Sequence, residues 1–132
     1  MITSVGRTLL VAWAVAVSSK AVLAHHSALM YDTDTTIILT GVVSEFQYTN
    51  PHSWLLVEVE SEDGTVTTWG FEALSVSNMQ RAGIRPSDFV PGTRVTISGH
   101  PMRDGRPAAE WLVATREEDG KEFHAEVSFD IE

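Results

Sequence analysis

Three Asp-Gly pairs, at 63–64, 104–105 and 119–120, cut the second half of this 132-residue chain into short segments. Asp-Gly is among the strongest local signals for a two-residue hairpin, because a turn that matches the twist of its flanking strands needs positive φ, which glycine adopts at no steric cost. The flanking segments carry the matching period. Residues 53–60 place Leu55, Val57 and Val59 on one side and Trp54, Leu56, Glu58 and Glu60 on the other. Residues 66–72 put Trp69 and Phe71 together, and residues 123–131 alternate Phe123, Ala125, Val127, Phe129 and Ile131 with polar residues. Apolar residues at a spacing of two predict half-buried strands, so most of the chain must pair as antiparallel β-structure.

Upstream, residues 37–48 are rich in β-branched and aromatic side chains, and Gly41 in their midst predicts a bulge or bend. Thr49-Asn50-Pro51 breaks this first strand from the second, at 53–60. After the third strand, Ser75 is placed to cap a short helix through about Ala82, with Gly83 where a helix stops. Pro91-Gly92, within 88–93, then turns the chain into a fourth strand at 94–99, and the second Asp-Gly pair joins that to a fifth at 108–116. Three strands, a helix and two more strands are the order of an OB-like β-barrel, here with a C-terminal sixth strand. The predicted class is all-β with one short helix; a β-sandwich is the alternative.

Residues 1–24 follow a different logic. One positive charge at Arg7, an apolar run over 8–17 and a small-residue stretch ending Val22-Leu23-Ala24 make a cleavable secretory signal, with the mature chain starting at His25. A membrane span needs roughly 20 apolar residues, and Ser18, Ser19 and Lys20 interrupt the run at about half that length. The expected organisation is a signal peptide at 1–24, an irregular arm at 25–35 and one small barrel domain at 36–132. The expected location is the periplasm, with no membrane span after cleavage.

Cleavage removes Arg7 and Lys20 and no acidic residue, which takes the formal net charge from −9 to −11. Phosphate binding draws on clustered Lys and Arg, so a nucleic-acid partner is excluded and a cationic ligand is favoured. With no cysteine in an exported chain, neither disulfides nor thiolate metal sites are available. Any metal must be held by His, carboxylate, Met or the amino terminus. No nucleophile elbow, phosphate loop or His-Glu-x-x-His helix is present, so no enzyme is expected.

The candidate chemistry lies in histidines. A free α-amine at His25, its own imidazole and the imidazole of His26 would set three nitrogen donors within two residues, a combination that favours Cu(II) among common divalent ions. His52 follows Pro51, whose ring fixes the backbone beside it. It shares a strand face with Trp54 and Leu56, at the rim where OB folds take ligands. An arm starting at His25 could fold back to it, making His25, His26 and His52 a metal site. Its structural alternative is a histidine that merely bonds loop backbone. His100 and Met102 flank Pro101 and offer a weaker imidazole–thioether pair; His124, between Glu122 and Glu126, reads as a solvated edge. The competing function is a ligand- or protein-binding module with Tyr48, Asn50, Trp54 and Trp69 as its contact residues and the histidines incidental.

Ala24-His25-His26-Ser27, Leu39-Thr40-Gly41-Val42-Val43, Thr49-Asn50-Pro51-His52-Ser53-Trp54, Trp69-Gly70-Phe71-Glu72 and the stretch from Pro91-Gly92-Thr93 to Gly99-His100 resemble a family of short exported bacterial proteins of uncharacterised function. The His-His-Ser start and the Asn-Pro-His-Ser/Ala-Trp segment are its recognisable motifs, and the likeness runs to about Thr115. The resemblance implies a periplasmic small barrel and supplies no activity and no binding residues. Copper at His25, His26 and His52 is therefore inferred from donor chemistry alone. The expected partners are a metal ion or small ligand and a periplasmic protein.

Overall fold

A computed structural model of the chain describes residues 29–125. Six strands, β1 (Ile37–Gln47), β2 (Trp54–Glu60), β3 (Val66–Glu72), β4 (Arg94–Pro101), β5 (Ala108–Arg116) and β6 (Glu122–His124), run with one helix, α1 (Val76–Arg81), and a 3₁₀ turn at Pro86–Phe89. The hydrogen-bonded order is β3-β2-β1-β4-β5-β6, and β3 also pairs with β5. That second pairing is parallel and short, Gly70 to Ala108, Phe71 to Ala109 and Glu72 to Glu110, and it closes β1 to β5 into a barrel. A closed five-stranded barrel with an added strand is the OB-like architecture expected from the order of elements, and closure excludes the sandwich.

Strand β1 makes this closure geometrically feasible. Its first half pairs with β4, Ile37 to Gly99 through Val42 to Arg94, and its second half with β2, Val42 to Glu58 through Gln47 to Trp54. The strand must bend between the two, and the register slips between Val43 and Glu45 as a bulge would make it do. Gly41 stands at the bend: a Cβ there would fall 2.2 Å from the Glu58 carbonyl oxygen. Here the glycine serves close approach and not positive φ.

The alternation expected for β2 is what fills the interior. Leu55 and Val57 are fully buried and join Val43, Phe71, Val95, Ile97, Trp111 and Ala114 in the core. One end is plugged by Met79 of α1, Ile84 and Phe89, all without exposed surface. Phe89 meets the rings of Trp111 at 5.4 Å, Phe123 at 4.7 Å and Phe46 at 5.7 Å, each nearly edge-on, the geometry that aromatic quadrupoles favour.

Three local expectations change. Ser75 does stand before α1, but its side chain makes no capping bond; the Val76 amide donates instead to Asn50 Oδ1 at 2.9 Å. The 3₁₀ turn occupies part of what reads as plain turn sequence, because the Arg85 amide donates to Asp88 Oδ2 at 2.7 Å and Pro86 supplies a preset φ. Strand β4 continues to Pro101, two residues past the predicted end. Of the expected sixth strand, Glu122–His124 is seen and Ala125 continues its ladder by donating to the Leu112 carbonyl at 3.1 Å. The rest of it, with Val127, Phe129 and Ile131, lies outside the described residues.

Replacing Gly41 by Ala should lower stability by about 2–3 kcal/mol, since backbone and not a flexible side chain must yield. A urea midpoint within experimental error of wild type would show that β1 does not approach β2 so closely.

Candidate functional site

The connection between β1 and β2, residues 48–53, is fastened on both sides. The Tyr48 hydroxyl donates to the Ile84 carbonyl at 2.8 Å, and Thr49 Oγ1 to the His52 carbonyl at 3.0 Å. Ser53 is wholly buried and exchanges backbone bonds with the end of β3, its amide donating to Leu74 at 2.9 Å and its carbonyl accepting from Ala73 at 2.8 Å. Asn50 holds the start of α1, and the Asn50–Pro51 peptide is cis. These bonds set His52 beside the last residue of β3.

There, His52 Nδ1 lies 3.1 Å from Glu72 Oε1 and 3.4 Å from the Ala73 carbonyl oxygen. Both neighbours are acceptors, so in the neutral ring Nδ1 carries the proton and the lone pair sits on Nε2. Among the described residues every polar contact of the ring is made through Nδ1. The side chain is 40% exposed against 17% for its carboxylate partner, which leaves the imidazole reachable from solvent while Glu72 is sheltered.

The other oxygen of Glu72 accepts the hydroxyl of Tyr31. Tyr31 belongs to the arm and is 2% exposed, yet it stands apart from the barrel's apolar cluster. It bridges to Met102, and the chain on either side is bonded to the barrel: the Asp32 amide donates to Pro101 at 2.8 Å and the Arg103 amide to Met30 at 2.9 Å. Burial, then the bond to Glu72 and the negative charges of Glu72 and Glu110, raise the phenol far above its usual range, with Arg106 acting weakly the other way. Tyr31 is therefore a hydrogen-bond donor at every ordinary pH.

The structure separates the remaining candidates. Trp54 faces outward opposite Glu72, its ring laid along Gly70, where a Cβ would meet it at 3.3 Å. Trp69 lies on the other face of the sheet, packed toward the core beside Phe71, and Tyr48 also packs against the core. Tyr48, Trp54 and Trp69 thus form no common surface, and Asn50 serves the helix. His100 Nδ1 meets the Thr35 carbonyl oxygen at 2.8 Å, and Met102 is buried, its backbone paired with that of Tyr31. His124 is exposed at 3.3 Å from Glu122. Asp32 takes the Thr35 hydroxyl at 2.7 Å and the Asp34 amide at 3.2 Å, bonds that hold its carboxyl below the usual range. His25 and His26 lie outside the described residues. Among the described residues no three His, Asp or Glu side chains converge as a metal site, and no helix is long and apolar enough to cross a membrane.

The model of a family of unknown function, DUF6152, matches residues 12–110. The chain belongs to this family. The DUF6152 match takes in His25, His26, Tyr31, His52 and Glu72 and ends at Glu110, the residue paired with Glu72 where the barrel closes. No curated protein and no solved structure matches the chain.

Two members of the site, Tyr31 and Glu72, escape a reading of the sequence. Glu72 ends the segment Trp69-Gly70-Phe71-Glu72, and its alternation with buried Phe71 does place it outward; what the pattern lacks is the register that sets it opposite Trp54 and beside His52. Tyr31 carries no periodic signal at all, being a single aromatic residue in an irregular arm.

Tyr31 supplies a pH test. Its folded-state affinity for the proton exceeds the unfolded one, so it stabilises the fold fully below about pH 10, the unfolded phenol value, and that contribution is lost as the pH rises further. Tyr31→Phe should flatten the alkaline fall of the denaturation midpoint relative to wild type; parallel curves above pH 10 would contradict the burial of this hydroxyl.

Proposed function

We propose that this DUF6152 protein is an exported periplasmic barrel that binds a metal ion, with copper as its ion, and catalyses no reaction. His25, His26 and His52 are its nitrogen ligands. The supporting observation is the His52 ring. A histidine that ligates a metal characteristically gives its other ring N–H to a carboxylate or carbonyl, which fixes ring orientation and raises the basicity of the ligating nitrogen. His52 has both such acceptors at Nδ1 and keeps Nε2 clear of the described residues.

The arm's course is compatible with the remaining donors. Tyr31 is fastened to the same carboxylate as His52. His26 lies only five residues before Tyr31 in the sequence, which keeps it near the carboxylate that His52 also bonds. Cleavage before His25 would add an α-amine of pKa about 7.7–8.0, a proton that a metal displaces far more readily than one on lysine. Such a nitrogen set ranks Cu(II) above other common divalent ions, and the acidic chain favours any cation.

The second reading, a non-catalytic binding module for a small ligand or a periplasmic protein, now draws on Trp54 alone among the aromatic candidates, because Trp54 is the one that faces outward. It expects Trp54→Ala to abolish ligand binding and Cu(II) to be ignored.

Secreted protein with its native start should take up one Cu(II) per chain by calorimetric titration. One residue added before His25 should remove most of that affinity, and His52→Ala should weaken it by at least about tenfold, as the loss of a ligand or its support does. Identical isotherms for all three forms would refute the site.

A further inference from the structure

The Glu72 side chain touches both the arm and the β1–β2 connection. Oε1 takes the Nδ1 proton of His52 at 3.1 Å, and the other oxygen takes the hydroxyl of Tyr31. A carboxylate has lone pairs enough for both donors, yet its two oxygens lie in one rigid plane. Turning the group to improve one bond changes the other. The backbone beneath it is also fixed, since Glu72 lies within the closure, paired with Trp54 on one side and Glu110 on the other.

From this geometry we infer that Glu72 is a positioning residue that couples the docked arm to the tautomer and orientation of the His52 ring. With Glu72 held by Tyr31, Oε1 faces Nδ1 as an acceptor and the imidazole presents its Nε2 lone pair outward. Without Tyr31, the carboxylate gains freedom to rotate and the ring loses its fixed partner; without His52, Tyr31 shares its acceptor with no competing donor and the arm settles differently. Glu72→Gln has a more specific effect. One of the two acceptors facing Nδ1 becomes an amide that can donate there, which favours the proton on Nε2 and so occupies the lone pair a metal or a hydrogen-bond donor would use. The coupling makes arm docking and ligand capture at His52 reciprocal, each strengthening the other by the same free energy.

As a regulator of copper capture this rests on the metal reading above, but the coupling itself is read without metal. In the full ¹⁵N-labelled chain, the His52 ring nitrogen shifts report the tautomer, and hydrogen exchange at the Asp32 and Arg103 amides reports arm docking. Tyr31→Phe keeps the buried ring and deletes only the hydroxyl. It should move the His52 nitrogens toward a mixture of tautomers, Glu72→Gln should move them further toward Nε2–H, and His52→Ala should alter exchange at Asp32 and Arg103. Cu(II) added to the secreted form should bind Glu72→Gln about tenfold or more less tightly than wild type. If Tyr31→Phe and Glu72→Gln leave the His52 shifts at wild-type positions, and His52→Ala leaves the arm amides unchanged, the coupling is overturned whatever the copper result. If the shifts and exchange rates move but wild type ignores Cu(II), the coupling stands and the metal reading falls.

Discussion

Everything on the outside of this barrel depends on three residue pairs, Gly70, Phe71 and Glu72 of β3 against Ala108, Ala109 and Glu110 of β5. The first two pairs each include a residue no larger than alanine, Gly70 with Ala108 and Ala109 with Phe71. Across β4 and β5, a Cβ on Gly99 would lie 2.5 Å from the Glu110 carbonyl oxygen and 3.0 Å from the Ala109 Cβ, so that approach too tolerates no side chain. Once the seam is closed, cross-strand pairing lines up Trp54, Glu72, Glu110 and His100 in one outward row over four strands. Two neighbouring carboxylates in such a row repel each other unless donors or cations come to them. The Tyr31 hydroxyl and the His52 imidazole answer that need at Glu72, which is why an irregular arm and a loop meet at this point of the surface.

The interior works by a complementary rule. A five-stranded barrel is narrow, and its end must be stopped by side chains that bring no unsatisfied polar groups with them. Met79, Ile84 and Phe89 do so from the segment between β3 and β4. Trp111 is nearly fully buried yet keeps its indole N–H satisfied, donating to the Phe123 carbonyl at 3.1 Å, and so ties β5 to β6. No buried side-chain nitrogen or oxygen among the described residues lacks a partner. The same segment that plugs the barrel also carries α1, whose first amide is taken by Asn50. Plug and loop are therefore one mechanical unit, and His52 inherits its rigidity from the core.

How much of this was written in the sequence depends on the range of the interaction. The bounds of β3 and β5 and the helix stop at Gly83 follow from local period and turn chemistry, and the chain obeys them, whereas the register shift of β1 falls between Val43 and Glu45, just past Gly41. The order of elements was enough to name the barrel. Long-range register was not legible: the alternation puts Trp69 beside Phe71, but nothing local tells Trp54 that it faces Glu72. Asn50 illustrates the limit from another direction. Its side chain invites a ligand-binding reading, whereas its acceptor is spent on an amide 26 positions away. Tyr31 is invisible for a simpler reason, since it is buried where the arm's backbone pairs with Met102, far away in the sequence, and not by a local pattern.

That last contact gives the molecule two kinds of stability. Tyr31 and Met102 are both buried, pair through their backbones and lie outside the main apolar cluster, so undoing their pairing would leave the barrel's own core intact. Peeling the arm is thus a local opening with its own free energy, well below that of global unfolding. A protease that cuts within this strap would act on the peeled molecules, and their population would set the rate. Detachment would bring into water the Tyr31 side chain, which is buried while the arm is docked. The arm is in this sense less a tail than a strap, bonded through its backbone to the residues at the end of β4.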